Sequence, residues 1–237
     1  MRKSGVSDPL ALRARPPQEG DSSGSLIFFI LPLLRGKAAL RSAGGRGSLA
    51  LIFVYHFLFF LITQDSFAAG DRLVFGLQAA YGLENGIPRN ISHIQMLYAQ
   101  PQVGIIVWNS SESRLPIKRF DIVSEGILGG STHPGGHLFG DTLLFRVMGN
   151  SAHRYAPFFN VSSGPLHTTI DEHASELGGH VQFLSQGGAG IQRRLDARRS
   201  LVLEYRYFHM SNAGLTKPNH GFNGSMLSVG MRWNGIR

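Results

Sequence analysis

From residue 71 onward, apolar side chains return at every second position, the period of a strand whose two faces meet different surroundings. In DRLVFGLQAAYGL, Leu73, Phe75, Leu77, Ala79 and Tyr81 alternate with Val74, Gly76, Gln78, Ala80 and Gly82. The pattern recurs with Phe120 and Ile122 against Arg119, Asp121 and Glu125, then with Leu143, Phe145 and Val147 against Thr142 and Arg146. Between 180 and 192, Val181, Phe183, Ala189 and Ile191 oppose Gln182, Gln186, Gly188 and Gln192. Leu201, Leu203, Tyr205 and Tyr207 then oppose Glu204 and Arg206, and Leu227, Val229, Met231 and Trp233 oppose Ser228, Gly230 and Arg232. Weaker segments at 102–109 and 155–168 bring the expected total to about eight strands, separated by turn-rich stretches such as GGSTHPGGH and NGIPRN. Only HTTIDEHASELGG, 167–179, has room for a helical turn.

Such alternation has two physical explanations. In a water-soluble barrel, for example a lipocalin-like carrier, the apolar face is the core. In an outer-membrane barrel the apolar face meets lipid and the polar face fills the lumen. Three features favour the second. The segments are about nine to eleven residues long, enough for a tilted strand to cross a bilayer. The polar faces combine small residues with glutamine and charges of both signs. Tyr81, Trp108, Tyr207 and Trp233 stand toward segment ends, where an interfacial girdle belongs. The fold class expected is therefore all-β, an eight-stranded antiparallel transmembrane β-barrel over 69–237.

Ahead of it, RGSLALIFVYHFLFFLITQDSFAAG has the layout of a secretory signal: Arg46 as positive flank, an apolar run from Leu49 to Ile62, then Ser66-Phe67-Ala68 as a small-residue cleavage site. The run is short for a helical anchor, which needs ~20 residues. Residues 46–68 are read as a signal peptide and 1–45, rich in Arg, Gly, Ser and Pro, as an extension outside the native start. Charge changes this picture little. The formal excess is +8, but residues 1–68 hold eight Lys/Arg and four Asp/Glu, so half of it lies ahead of the barrel and nucleic acid is not an expected partner. The chain has no cysteine, which excludes disulfides and thiolate metal sites.

Period two places His209 and Ser211 on the same face as Leu201 to Tyr207, the face expected to meet lipid. Polar groups there are costly unless they sit in the headgroup layer or serve a function. The stretch that follows is rich in donors and turn residues, Asn212-Ala213-Gly214 and Pro218-Asn219-His220-Gly221. This block, HMSNAGLTKPNHGFN, resembles the lipid A 3-O-deacylase (PagL-like) family of outer-membrane enzymes, with the His-x-Ser-Asn-Ala-Gly-Leu core and the Pro-Asn-x-Gly turn in place. Looser similarity runs from about residue 71 to 233.

The resemblance implies an eight-stranded barrel with a Ser-His-acid triad on its outer surface. It would make Ser211 the nucleophile and His209 the general base; for the oxyanion the sequence offers Asn212, Asn219 and the backbone N–H of Gly214 as local candidates, without choosing among them. It departs from the family at the acid: that position is Asn223, and no Asp or Glu lies between His209 and Trp233. An amide oxygen can hold the imidazole tautomer but cannot stabilise imidazolium by charge. The implied substrate is lipid A of lipopolysaccharide, losing an ester-linked acyl chain, with Lys217 the nearest cation for its phosphates. The implied setting is the Gram-negative outer membrane. No cofactor or metal is called for, since His133, His137, His153, His167, His173 and His180 lack zinc-site spacing. A homodimer stays open. The competing reading is a catalytically weak or inactive small barrel with a structural or adhesive role.

Overall fold

The computed structural model describes residues 72–85, 91–110, 112, 114–151 and 153–235. The extension at 1–45, the signal at 46–68 and most of the NGIPRN turn lie outside the described residues. Eight antiparallel strands follow in order: β1 Leu73–Glu84, β2 Gln95–Asn109, β3 Arg119–His133, β4 Gly135–Met148, β5 Tyr155–Thr168, β6 Val181–Arg194, β7 Arg199–Ser211 and β8 Phe222–Asn234. Each pairs with its neighbour, and β1 pairs with β8, so the sheet closes on itself. The expected fold is the observed one, an eight-stranded transmembrane β-barrel.

The faces are inside out relative to a soluble domain. Phe159, Tyr205 and Leu227 are 63%, 54% and 56% exposed on the outer wall. Glu125, Arg146, Glu204 and Arg206 are buried within. Carboxylates and guanidiniums pair across the lumen. Arg206 donates to both Glu125 oxygens at 2.5 and 2.8 Å and is also paired with Glu204. Asp121 takes Arg119 at 2.6 Å and Arg232 on its other oxygen. The Arg146 guanidinium lies 4.7 Å above the Phe158 ring. Its nearest carboxylate is Glu204, at 3.7 Å; burying charge at this density is tolerable only where opposite charges stand close in the low-dielectric interior.

Two expectations need correction. The strands run 12 to 15 residues rather than nine to eleven. GGSTHPGGH is not a long connection either: β3 and β4 pair through it to Thr132↔Gly135 and leave only His133 and Pro134 to turn. In both cases backbone pairing continues past the apolar stripe, which marks only the lipid-contacting part of each strand. The lumen is also not polar throughout. Toward the end where β7 meets β8, the inward positions are Tyr98, Ile127, Leu138, Phe208, Met210, Phe222 and Met226. Ile170, Ala174 and Leu177 from the β5–β6 connection pack onto them. A short 3₁₀ turn, Ile170–Glu172, forms within the one segment expected to allow a helical turn. That connection stoppers the barrel mouth, and the HMSNAGLTKPNHGFN block lies beside it.

Candidate active site on the outer wall

His209 and Asn223 face each other directly across the β7–β8 pairing, and side chains of such a pair share one side of the sheet. The Asn223 amide oxygen stands 2.9 Å from His209 Nδ1. It can only accept, so Nδ1 carries the proton and Nε2 presents its lone pair. Ser211 is two residues further along β7 on the same side, and all three residues are partly exposed on the outer wall. Among the described residues, no hydrogen bond joins Ser211 to His209. Gly221 lies close against both. Its φ is +62°, in the left-handed region, and a Cβ placed there would lie 2.8 Å from Ser211 Cβ and 3.0 Å from His209 Cε1. Glycine is therefore required twice over, by backbone conformation and by space. Any side chain would wedge into the corner shared by hydroxyl and imidazole.

The loop 212–221 is held from within by Asn212. Its buried amide donates to Gly178 O at 2.6 Å, Thr216 O at 2.9 Å and Pro218 O at 3.2 Å. Its Oδ1 accepts the Gly214 N–H at 2.9 Å. Asn212 thus serves the loop, and its side chain does not reach the outer wall. Asn219 is oriented by the peptide next to the serine, since the Asn212 N–H donates to Asn219 Oδ1 at 3.1 Å. With the oxygen so engaged, Asn219 Nδ2 points elsewhere and has no acceptor among the described residues. It lies 4.0 Å from where a Cβ of Gly214 would be, so Gly214 and the Asn219 amide border one small space. Ala213 and Gly214 take consecutive positive φ values of 53° and 83°, which turns the chain sharply just after Ser211.

Two groups of residues escaped sequence reasoning. The first is the segment around Glu176. Its backbone carbonyl accepts both His220 N and Gly221 N at 3.1 Å, while its carboxylate takes the Ile91 N–H, the Ser92 N–H at 2.7 Å and the Ser92 hydroxyl at 2.5 Å. Burial alone would raise this carboxyl, but the Ser92 and Ile91 hydrogen bonds outweigh it and hold it below the usual glutamate value. Glu176 thereby pins the β1–β2 connection and the turn that carries Gly221 to one point. The second group is a row on the outer wall. Ser163 pairs with Ser185, Ser185 with His209, and His209 with Asn223. The two serine hydroxyls lie 2.9 Å apart, both exposed. Neither feature has a local signature: one depends on contacts far apart in sequence, the other on register across four strands.

A family model described as "Lipid A 3-O-deacylase (PagL)" matches residues 99–232, which takes in His209, Ser211, Asn219 and Asn223. The chain belongs to the lipid A 3-O-deacylase family. Among solved structures, the outer membrane enzyme PagL is similar at 20% identity, over 65% of this chain and 97% of that one, with a TM-score of 0.48. Neisserial surface protein A is similar at 12% identity, over 68% and 96%, also with a TM-score of 0.48. The outer membrane protein OprG from Pseudomonas aeruginosa is similar at 6% identity, over 68% and 95%, with a TM-score of 0.38. No curated protein matches the chain.

Proposed function

We propose that this protein is an outer-membrane serine esterase that removes an ester-linked acyl chain from lipid A. The observation that carries the reading is the 2.9 Å contact between His209 Nδ1 and the Asn223 amide oxygen, made on the outer wall beside Ser211. It selects the tautomer a general base needs. Ser211 Oγ attacks the ester carbonyl as its proton passes to His209 Nε2. The tetrahedral oxyanion is met by Asn219 Nδ2, since the Gly214 N–H is already given to Asn212 Oδ1. Collapse breaks the ester bond, and His209 returns its proton to the departing sugar hydroxyl. Water, activated by the same imidazole, then releases the fatty acid from Ser211.

Placement supports the substrate class. A nucleophile on the outer wall is reached by lateral diffusion of a lipid, with no need to extract the substrate into a cavity. Lys217, exposed in the same loop, is positioned to meet a headgroup phosphate. The second reading, a structural or adhesive barrel of little or no activity, is favoured by the uncharged Asn223 and by the lack of a Ser211–His209 hydrogen bond. Catalytic hydrogen bonds often tighten only with substrate bound, so the second point has less weight. The two readings separate in one experiment. Purified protein is incubated with lipopolysaccharide and the lipid A mass is read. The esterase reading expects loss of one acyl chain, and no loss with Ser211→Ala. Unchanged lipid A from wild-type protein that is folded in detergent would favour the structural barrel.

A further inference from the structure

At the barrel end opposite His209, the outer wall changes from apolar to strongly basic. Arg193 lies on β6 directly between Tyr155 of β5 and Leu201 of β7. Arg154 sits one residue before Tyr155, with its guanidinium carbon 5.8 Å from that ring, and its carbonyl accepts the Arg194 N–H at 2.9 Å. Arg154, Arg193, Arg194 and Leu195 line one open cleft of about 380 Å³. All three guanidiniums are exposed, and among the described residues none has an acidic partner. The acid of the adjoining turn, Asp196, is already engaged by the Arg198 and Arg199 N–H groups at 2.9 and 2.7 Å and by Arg199 Nε at 2.6 Å.

Three like charges gathered without a counter-ion repel one another, so an anion is expected from outside the chain. The neighbours indicate its form. Tyr155, Ile191, Leu195 and Leu201, at 38 to 50% exposure, continue from the cleft onto the lipid-facing wall. A ligand that fills both regions has an anionic head and an apolar tail. A polynucleotide has no use for the tail surface, and free phosphate leaves it bare. We propose that this cleft is a binding site for an anionic glycerophospholipid, with its phosphate on Arg154, Arg193 and Arg194 and its acyl chains along Tyr155, Ile191 and Leu201. Guanidinium suits phosphate because its planar donors engage two oxygens at once. The site is separate from the esterase centre and does not depend on it.

The chain supplies a reporter. It has two tryptophans, and Trp233 pairs with Arg199 and lines the neighbouring cleft with Arg198. Full-chain protein carrying Trp108→Phe is reconstituted in phosphatidylcholine vesicles containing either dibrominated phosphatidylglycerol or dibrominated phosphatidylcholine. Quenching of Trp233 is expected to show about a fivefold preference for the anionic lipid, the scale for basic residues at a membrane surface. Replacing Arg154, Arg193 and Arg194 by glutamine should erase the preference, while Lys217→Gln at the other end should leave it intact. If the triple variant does not insert, Arg193→Gln alone should lower the preference by about half or more. Equal quenching by the two lipids, a preference that survives the arginine changes, or its removal by excess inorganic phosphate would each overturn the assignment.

Discussion

The lumen around Arg206 and the outer wall around His209 are both polar patches in a low-dielectric setting, and they solve the problem differently. Inside, ionic side chains are paired with one another: Arg206 with Glu125 and Glu204, Asp121 with Arg119 and Arg232. Outside, Ser163, Ser185, His209 and Asn223 form a row of hydroxyl, imidazole and amide groups, linked in pairs and left half-open. A buried ion pair cannot give up its partner without exposing bare charge. Hydroxyls and amides at a half-open surface exchange partners at smaller cost. The lumen is built to hold, and the wall is built to trade one hydrogen bond for another. This difference also gives a physical context for Asn223. At a lipid-facing position a carboxylate would be desolvated, whereas an amide accepts from the imidazole without that penalty.

The comparison can be broken at its strongest point first. Glu125→Ala removes the carboxylate that binds both terminal nitrogens of Arg206 and should destabilise the barrel by about 3–5 kcal/mol, read by urea unfolding in detergent. A loss below about 1 kcal/mol would mean that the lumen charges are solvated and not a matched network. Next comes Asn223→Glu, which should raise deacylation by roughly 10- to 100-fold, because the tautomer is already held and only the charge on imidazolium is added. Asn223→Ala should lower it. A fall in rate with glutamate would show that the neutral wall is itself required.

The Glu176 clamp makes a pH prediction. Its folded-state value is depressed, so its stabilisation is fully present above the unfolded value near 4.5 and is lost as pH falls through the lower folded value. Hydrogen exchange at the Ile91 and Ser92 amides should therefore stay slow through pH 4.5 and quicken only in stronger acid. Quickening well above pH 4.5 would contradict it. The smallest effect is expected from the double change Ser163→Val with Ser185→Val. Removing both partners of a neutral pair is close to neutral for unfolding, within about 1 kcal/mol. If the row seats substrate, KM for lipid A rises while kcat is maintained.

Much of this was readable before any coordinates. Period two alone placed Leu203, Tyr205, Tyr207, His209 and Ser211 on one outer face, and closure into eight strands followed from its recurrence. Parity also turns Phe208 and Met210 inward, but the polar lumen expected there is not what they meet. They are apolar because Ile170, Ala174 and Leu177 pack onto them at the barrel mouth. The role of Asn212 was also hidden: its residue type suits an oxyanion donor, but Gly178 and Pro218, from two separate segments, occupy its amide first. Partners of that kind are decided by which loops meet, and a single sequence carries no mark of the meeting.

The seam between β1 and β8 has a temporal consequence. Asn223 reaches His209 only when the last strand docks on β7, and β8 keeps its place only when its other edge zips to the first strand. Half-built chains, still in transit with an open edge, therefore lack the finished constellation. The His209–Asn223 contact thus arrives together with closure of the cylinder.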